Sequence, residues 1–200
     1  MLHHRNQGIE ANVNEKYELV WIAPERVGSR STCKIFTYCG FMCRGKQLSF
    51  GNAHNYTHNS EIPLKYKDYD IISSARNPYS RTLSIYKNFV VGYDGRKHET
   101  FKEWISALAL DEPEKKFEKY STFINPKLEK EPKYIIRLES ILEDMKKLPF
   151  IYNHLTEKQL EMMCEHGKEI DEWESYYTQE MKDLVYSHLK HQFDIWGYKK

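Results

Sequence analysis

Apolar positions recur along this chain in two rhythms: short continuous runs, and longer stretches in which they return every three or four residues. Residues 18–23 form a continuous run rich in strand formers, and a polar turn separates it from a helical pattern over about 31–41. Residues 47–51 have the composition of a short second strand, and 70–75 read as a strand buried on both faces. A helical pattern follows at once over about 79–89. Thr100 and Glu103 form a capping box ahead of Trp104, Ile105, Leu108 and Ala109, whose spacing predicts an amphipathic helix. Residues 133–138 are a further strand and 140–148 a helix stopped by Pro149. Thr156 and Gln159 make a second capping box that opens a helix toward Gly167, and a last helix is predicted over about 179–193.

Strands alternating with helices predict an α/β domain around a central, mainly parallel sheet, whose ligands gather at the carboxyl ends of the strands. With 200 residues, 40% of them hydrophobic, and no repeat or Gly/Ser linker, the chain has the size of one domain. Residues 1–16 are mostly polar and are set apart as an N-terminal extension, leaving a single domain at 17–200. The longest apolar runs, 19–24 and 105–110, fall well short of the roughly 20 residues of a membrane span. No signal-peptide stretch opens the chain either, so the expectation is a soluble, cytoplasmic protein without a membrane partner.

Lys and Arg number 30 against 29 Asp and Glu, a formal charge of +1 that offers no global field to nucleic acid, so any anion site has to be local. Cys33, Cys39, Cys43 and Cys164 lack a CxxC spacing, and three of them fall in one predicted helix and its exit, as reduced core thiols would. The nine histidines are scattered or in loops, and no metal site is expected.

Both stretches with recognisable chemistry follow predicted strands. The first is the turn after residues 18–23, with Arg26, Val27, Gly28, Ser29, Arg30, Ser31 and Thr32 entering a helix. Gly28 would let the backbone approach a phosphate, the amides of Ser29 to Thr32 would point at it, and the helix dipole would favour its charge. The same residues also suit an ordinary capped helix with Ser29 or Ser31 as cap and two solvated arginines. A nucleoside triphosphatase loop needs a lysine where this turn has Arg30. The second stretch runs from Arg76 through Asn77, Pro78, Tyr79, Ser80 and Arg81 to Ser84. Pro78 suits a first helical turn, and Ser84 lies two turns in, where its hydroxyl could join Arg76 around one phosphate.

Together the two stretches resemble the sulfotransferases that use 3′-phosphoadenosine 5′-phosphosulfate (PAPS), in particular their carbohydrate-type, or Golgi-type, branch. In that family a Lys-x-Gly-Ser/Thr-x-Ser/Thr loop binds the 5′-phosphosulfate, and an Arg with a Ser eight residues later binds the 3′-phosphate. Arg26 to Ser31, and Arg76 with Ser84, stand in those places. The likeness continues in order through Tyr134 to Glu139, with Asp144 beyond, and through Phe193 to Tyr198. It implies a P-loop-like three-layer domain, PAPS as co-substrate with 3′-phosphoadenosine 5′-phosphate (PAP) as product, and an acceptor hydroxyl on a glycan or other small molecule. Glu139 would be structural. The chain departs from the pattern in carrying Arg26 for the usual Lys and in the extra Glu25, which leaves room for a helping role of Lys34.

Sulfuryl transfer also needs a base for the acceptor proton. In the family it comes from the segment between the two motifs, where His54 and His58 are the candidates here, ahead of Glu61, and imidazole titrates near pH 6.5. Two other classes stay open: a divergent or non-catalytic nucleotide-binding α/β protein, and a kinase-like phosphotransferase. The latter predicts a P-loop lysine and an acidic magnesium ligand that the chain does not display.

Overall fold

In the computed structural model, which describes residues 11–24, 26–43, 46–48, 62–90, 100–110, 130–164 and 172–200, the apolar runs become strands of one sheet. The elements in chain order are β1 (Asn12–Asn14), β2 (Leu19–Ile22), α1 (Ser29–Tyr38), β3 (Met42–Cys43), β4 (Lys46–Gln47) and β5 (Asp70–Ala75). They continue with α2 (Pro78–Ile85), extended by a π-helical turn (Tyr86–Val90), α3 (Phe101–Leu110), β6 (Tyr134–Arg137), α4 (Ile141–Lys146), α5 (Glu157–Cys164) and α6 (Gln179–Trp196).

The sheet has six strands in the order β4-β3-β1-β2-β5-β6. Its core is parallel: β2 pairs with β5, Val20 opposite Ile71, and β5 with β6, Ser73 opposite Ile135. The other half is antiparallel, since β1 pairs that way with both β2 and β3, and β3 with β4. The sheet is therefore mixed, where a mainly parallel one was expected. The reason is connection length: β1 reaches β2 through a turn of four residues, far too short for the crossover that parallel neighbours need.

β1 also corrects the domain boundary expected at residue 17. Its polarity is misleading, because Asn12 and Asn14 are buried with their amides satisfied, Asn12 Nδ2 donating to the Trp21 carbonyl at 3.2 Å and Asn14 Nδ2 to the Cys39 carbonyl at 2.6 Å. A hydrogen-bonded side-chain amide is tolerated in a core where an unpaired one is not.

Alternation along the strands sorts the core. Leu19, Trp21, Ile72 and Ile136 face one side, packed with Phe36, Met145 and Leu160 from α1, α4 and α5. The opposite side carries Ser73 and Ala75 toward α6, where Trp196 donates its indole N–H to Ser73 Oγ at 3.2 Å and shares a cluster with Ala75 and Val27. Helices α2, α3 and α6 pack together through Tyr79, Leu83, Trp104, Ile105, Val185 and Phe193.

Local signals are obeyed closely. Both capping boxes form: the Thr100 N–H donates to Glu103 and the Glu103 N–H to the Thr100 hydroxyl, with Thr156 and Gln159 repeating the exchange. Helix α6 continues past Phe193 to Trp196, where Gly197 ends it in the left-handed conformation at φ 72°. All four cysteines are free and buried. Burial pushes the thiols of Cys33 and Cys164 up to about 11 and that of Cys39 up to about 12, which keeps them protonated and unreactive. No helix among the described residues is long and apolar enough to cross a membrane.

Candidate anion-binding site

Because β2, β5 and β6 are adjacent and parallel, the segments that leave their carboxyl ends come out along one edge of the sheet. The first exit carries residues 26–28 into α1. Arg26 and Gly28 both have positive φ, 62° and 80°, so the turn is sharp. A Cβ at 28 would also lie 2.6 Å from Leu138 Cδ1, on the segment that leaves β6, and would require that side chain to shift. Gly28 is the N-cap of α1 and no side chain caps that end.

Several residues of this loop do something other than cradle an anion. The amides of Ser31 and Thr32 already donate to the Gly28 carbonyl, at 3.1 and 3.2 Å, so the expected row of four inward amides is reduced to those of Ser29 and Arg30. Ser29 turns its hydroxyl back onto the Pro24 carbonyl at 3.0 Å. Thr32 is buried, its hydroxyl accepting from Ser74 at 3.4 Å, and Ser74 in turn accepts the indole N–H of Trp21 at 2.9 Å. Val27 is buried against Trp196 and Ala75. Arg30 is exposed, while Ser31 and Lys34 are half-buried.

The second exit carries Arg76 and Asn77 into α2. Asn77 caps the helix by accepting the amides of Tyr79 and Ser80, and Pro78 occupies the first helical position, where no amide is needed. Arg76 is only 6% exposed. Its Nε donates to Ser80 Oγ at 2.9 Å, and its Nη1 makes a long 3.5 Å contact with the Arg26 carbonyl. Ser84 Oγ instead accepts from Arg26 Nε at 3.0 Å. The bonds between the two loops run crosswise: the arginine of the first loop holds Ser84, two turns into α2, and the arginine of the second holds Ser80, one turn in.

Two guanidinium groups and two hydroxyls therefore gather between the loops. Guanidinium presents a planar fork of donors suited to phosphate and sulfate oxygens, so the cluster can bind an oxyanion. Ser80 was missed by sequence reasoning, although its spacing of four residues from Arg76 on a helix was a usable signal. Arg81, on another face of α2, is buried: it donates to Gln192 Oε1 at 3.1 Å and lies 5.7 Å from the Trp196 ring centre.

Beneath the loops, the segment leaving β6 ties them down. Glu139 accepts the Asn77 N–H at 2.7 Å through Oε1 and the Tyr198 hydroxyl at 2.6 Å through Oε2. Burial and the adjacent carboxylate push the Tyr198 phenol far above its ordinary range, so it stays a donor. Arg137 donates from Nε to the Trp196 carbonyl at 3.1 Å. Burial works to raise the Asp144 carboxyl, but hydrogen bonds from Lys147, the Arg137 amide and Ser140, with the Arg137 charge, outweigh it and hold the group below its ordinary value.

His54, His58 and Glu61, the base candidates, lie outside the described residues, as does Glu25. His191 is half-buried in α6, where desolvation lowers its pKa and its Nε2 has no hydrogen-bond partner among the described residues. No family model matches the chain, and searches of curated proteins and of solved structures find no match.

Proposed function

We propose that this chain binds PAPS at the carboxyl ends of β2 and β5, in a P-loop-like arrangement, and transfers its sulfuryl group to an acceptor hydroxyl on a glycan or another small hydroxylated molecule. The observation that carries this reading is the single cluster formed by Arg26, Arg76, Ser80 and Ser84, which draws on both motifs that resemble the sulfotransferases. A donor of this class has anionic groups at both ends, and the residues suit it. Arg76, steadied by Ser80, would hold the 3′-phosphate with Ser84. The uncapped N-terminus of α1, with the amides of Ser29 and Arg30, would face the 5′-phosphosulfate.

Arg26 would exchange its bond to Ser84 for the anionic ligand and stabilise charge on the leaving oxygen. Its high pKa suits it to that electrostatic role and not to proton donation. The acceptor proton would pass to His54 or His58.

Calorimetric titration with PAP, alongside ATP, ADP and the Arg76→Ala and Ser84→Ala variants, tests the donor site. Micromolar PAP binding that both variants weaken, and that ATP does not match, is the expected result and would justify an acceptor screen with His54→Ala and His58→Ala. A folded protein that binds no PAP would sink the reading. Tight PAP binding without transfer to any acceptor would favour a non-catalytic nucleotide-binding protein, in line with Arg26 standing where the family has Lys.

A further inference from the structure

The three residues that follow the buried part of β6 reach the two loops of the site and the end of α6. Leu138 fills the space under Gly28, which any Cβ at that position would invade. Glu139 takes the amide of Asn77, the residue immediately after Arg76. Arg137 holds the carbonyl of Trp196, at the end of α6. The C-terminal segment closes the circuit, since Trp196 bonds Ser73 on β5 and clusters with Val27 of the first loop, and Tyr198 donates to the second oxygen of Glu139.

From this circuit we infer that Glu139 is a positioning residue for the anion site, oriented by Tyr198, so that the C-terminal segment sets how well the two loops bind their ligand. The inference rests on the donor-site reading above and assigns a role to residues that touch no ligand themselves. A carboxylate with both oxygens engaged has one available orientation. Oε2 is held by a phenol that stays protonated, which leaves Oε1 directed at the Asn77 amide. Fixing that amide fixes the start of α2, and with it the backbone from which Arg76, Ser80 and Ser84 project. Losing the phenol frees the carboxylate to rotate. Losing the carboxylate removes an acceptor from a half-buried backbone N–H and lets the loop shift toward another partner. A binding geometry loosened in this way costs affinity without any ligand contact being deleted.

The experiment is calorimetric titration of the full chain with PAP, for the wild type and for Glu139→Ala, Glu139→Gln and Tyr198→Phe, each measured well below its own melting temperature. Glu139→Ala is expected to weaken PAP binding about tenfold and Tyr198→Phe roughly threefold, the scale of a lost charge-assisted contact transmitted through one intermediary. Glu139→Gln keeps an oxygen for the Asn77 amide and should hold affinity within about twofold of wild type, a rescue expected of a geometric role. If Glu139→Ala fails to fold, Tyr198→Phe carries the test alone. Melting temperatures that fall while PAP affinity stays at the wild-type level in the folded variants would overturn the inference and leave the donor site standing, as would a Gln variant as weak as the Ala variant. A wild-type chain that binds no PAP would overturn both.

Discussion

The loop after β2 is shaped by its backbone, and the loop after β5 by its side chains. In the first, positive φ at Arg26 and Gly28 bends the chain and the helix end is left without a side-chain cap. In the second, Asn77 caps α2, Pro78 starts it, and Glu139 and Ser80 hold the segment from outside and inside. A loop shaped by its backbone keeps donors for a ligand, here the amides of Ser29 and Arg30, because no side chain caps the helix end. A loop shaped by side chains gives up that freedom and presents a rigid charged group, here Arg76. In the proposed donor site, the first loop would wrap one anionic group and the second would grip another.

That contrast can be broken in order of expected effect. Arg76→Ala should remove the grip of the second loop and weaken PAP binding by about 2–3 kcal/mol, roughly a hundredfold, in a calorimetric titration. Gly28→Ala should destabilise the fold by about 2 kcal/mol in chemical denaturation, chiefly through strain at φ 80°. Adding Leu138→Ala should recover only the steric part of that loss. Asn77→Ala removes a helix cap and should cost about 1 kcal/mol, whereas Asn77→Gly should cost only a few tenths. Equal losses for Gly28→Ala and for the Gly28→Ala, Leu138→Ala double variant would show that strain alone shapes the first loop.

The smallest effect is a pH dependence. The Asp144 carboxyl titrates below its ordinary value in the folded chain. Its contribution to stability is therefore complete above the unfolded pKa, about 4, and is lost as pH falls through the folded one. Denaturation midpoints should decline below about pH 4, and Asp144→Asn should be less stable at neutral pH while losing part of that decline.

Much of this architecture was legible in the chain. The strand at Asp70–Ala75 falls where its apolar run placed it, both capping boxes close, and Pro78 stands at the first turn of α2. Each of these depends on residues a few positions apart, and short-range sterics and hydrogen bonding decide them. The helix expected over about 79–89 shows where such rules stop short: α2 ends at Ile85 and passes into a π-helical turn, which no periodicity of apolar residues announces.

The candidate site was legible as two stretches and not as one cluster. Arg26 and Ser84 are 58 positions apart, Asn77 and Glu139 62, and Glu139 and Tyr198 59. Which arginine meets which serine depends on how α2 is seated on the sheet, and a spacing of eight residues cannot report it. β1 was missed for a related reason, since Asn12 and Asn14 look like surface until the carbonyls of Trp21 and Cys39 are known to stand opposite them. The sequence by itself determined the α/β class, the helix starts and the residue types able to bind an anion, because propensity, capping and charge act locally. Only the tertiary structure decided the mixed sheet, the crossed Arg26–Ser84 and Arg76–Ser80 contacts and the seat of Glu139 under the second loop, because each depends on groups that meet only once the strands have paired and the helices have packed.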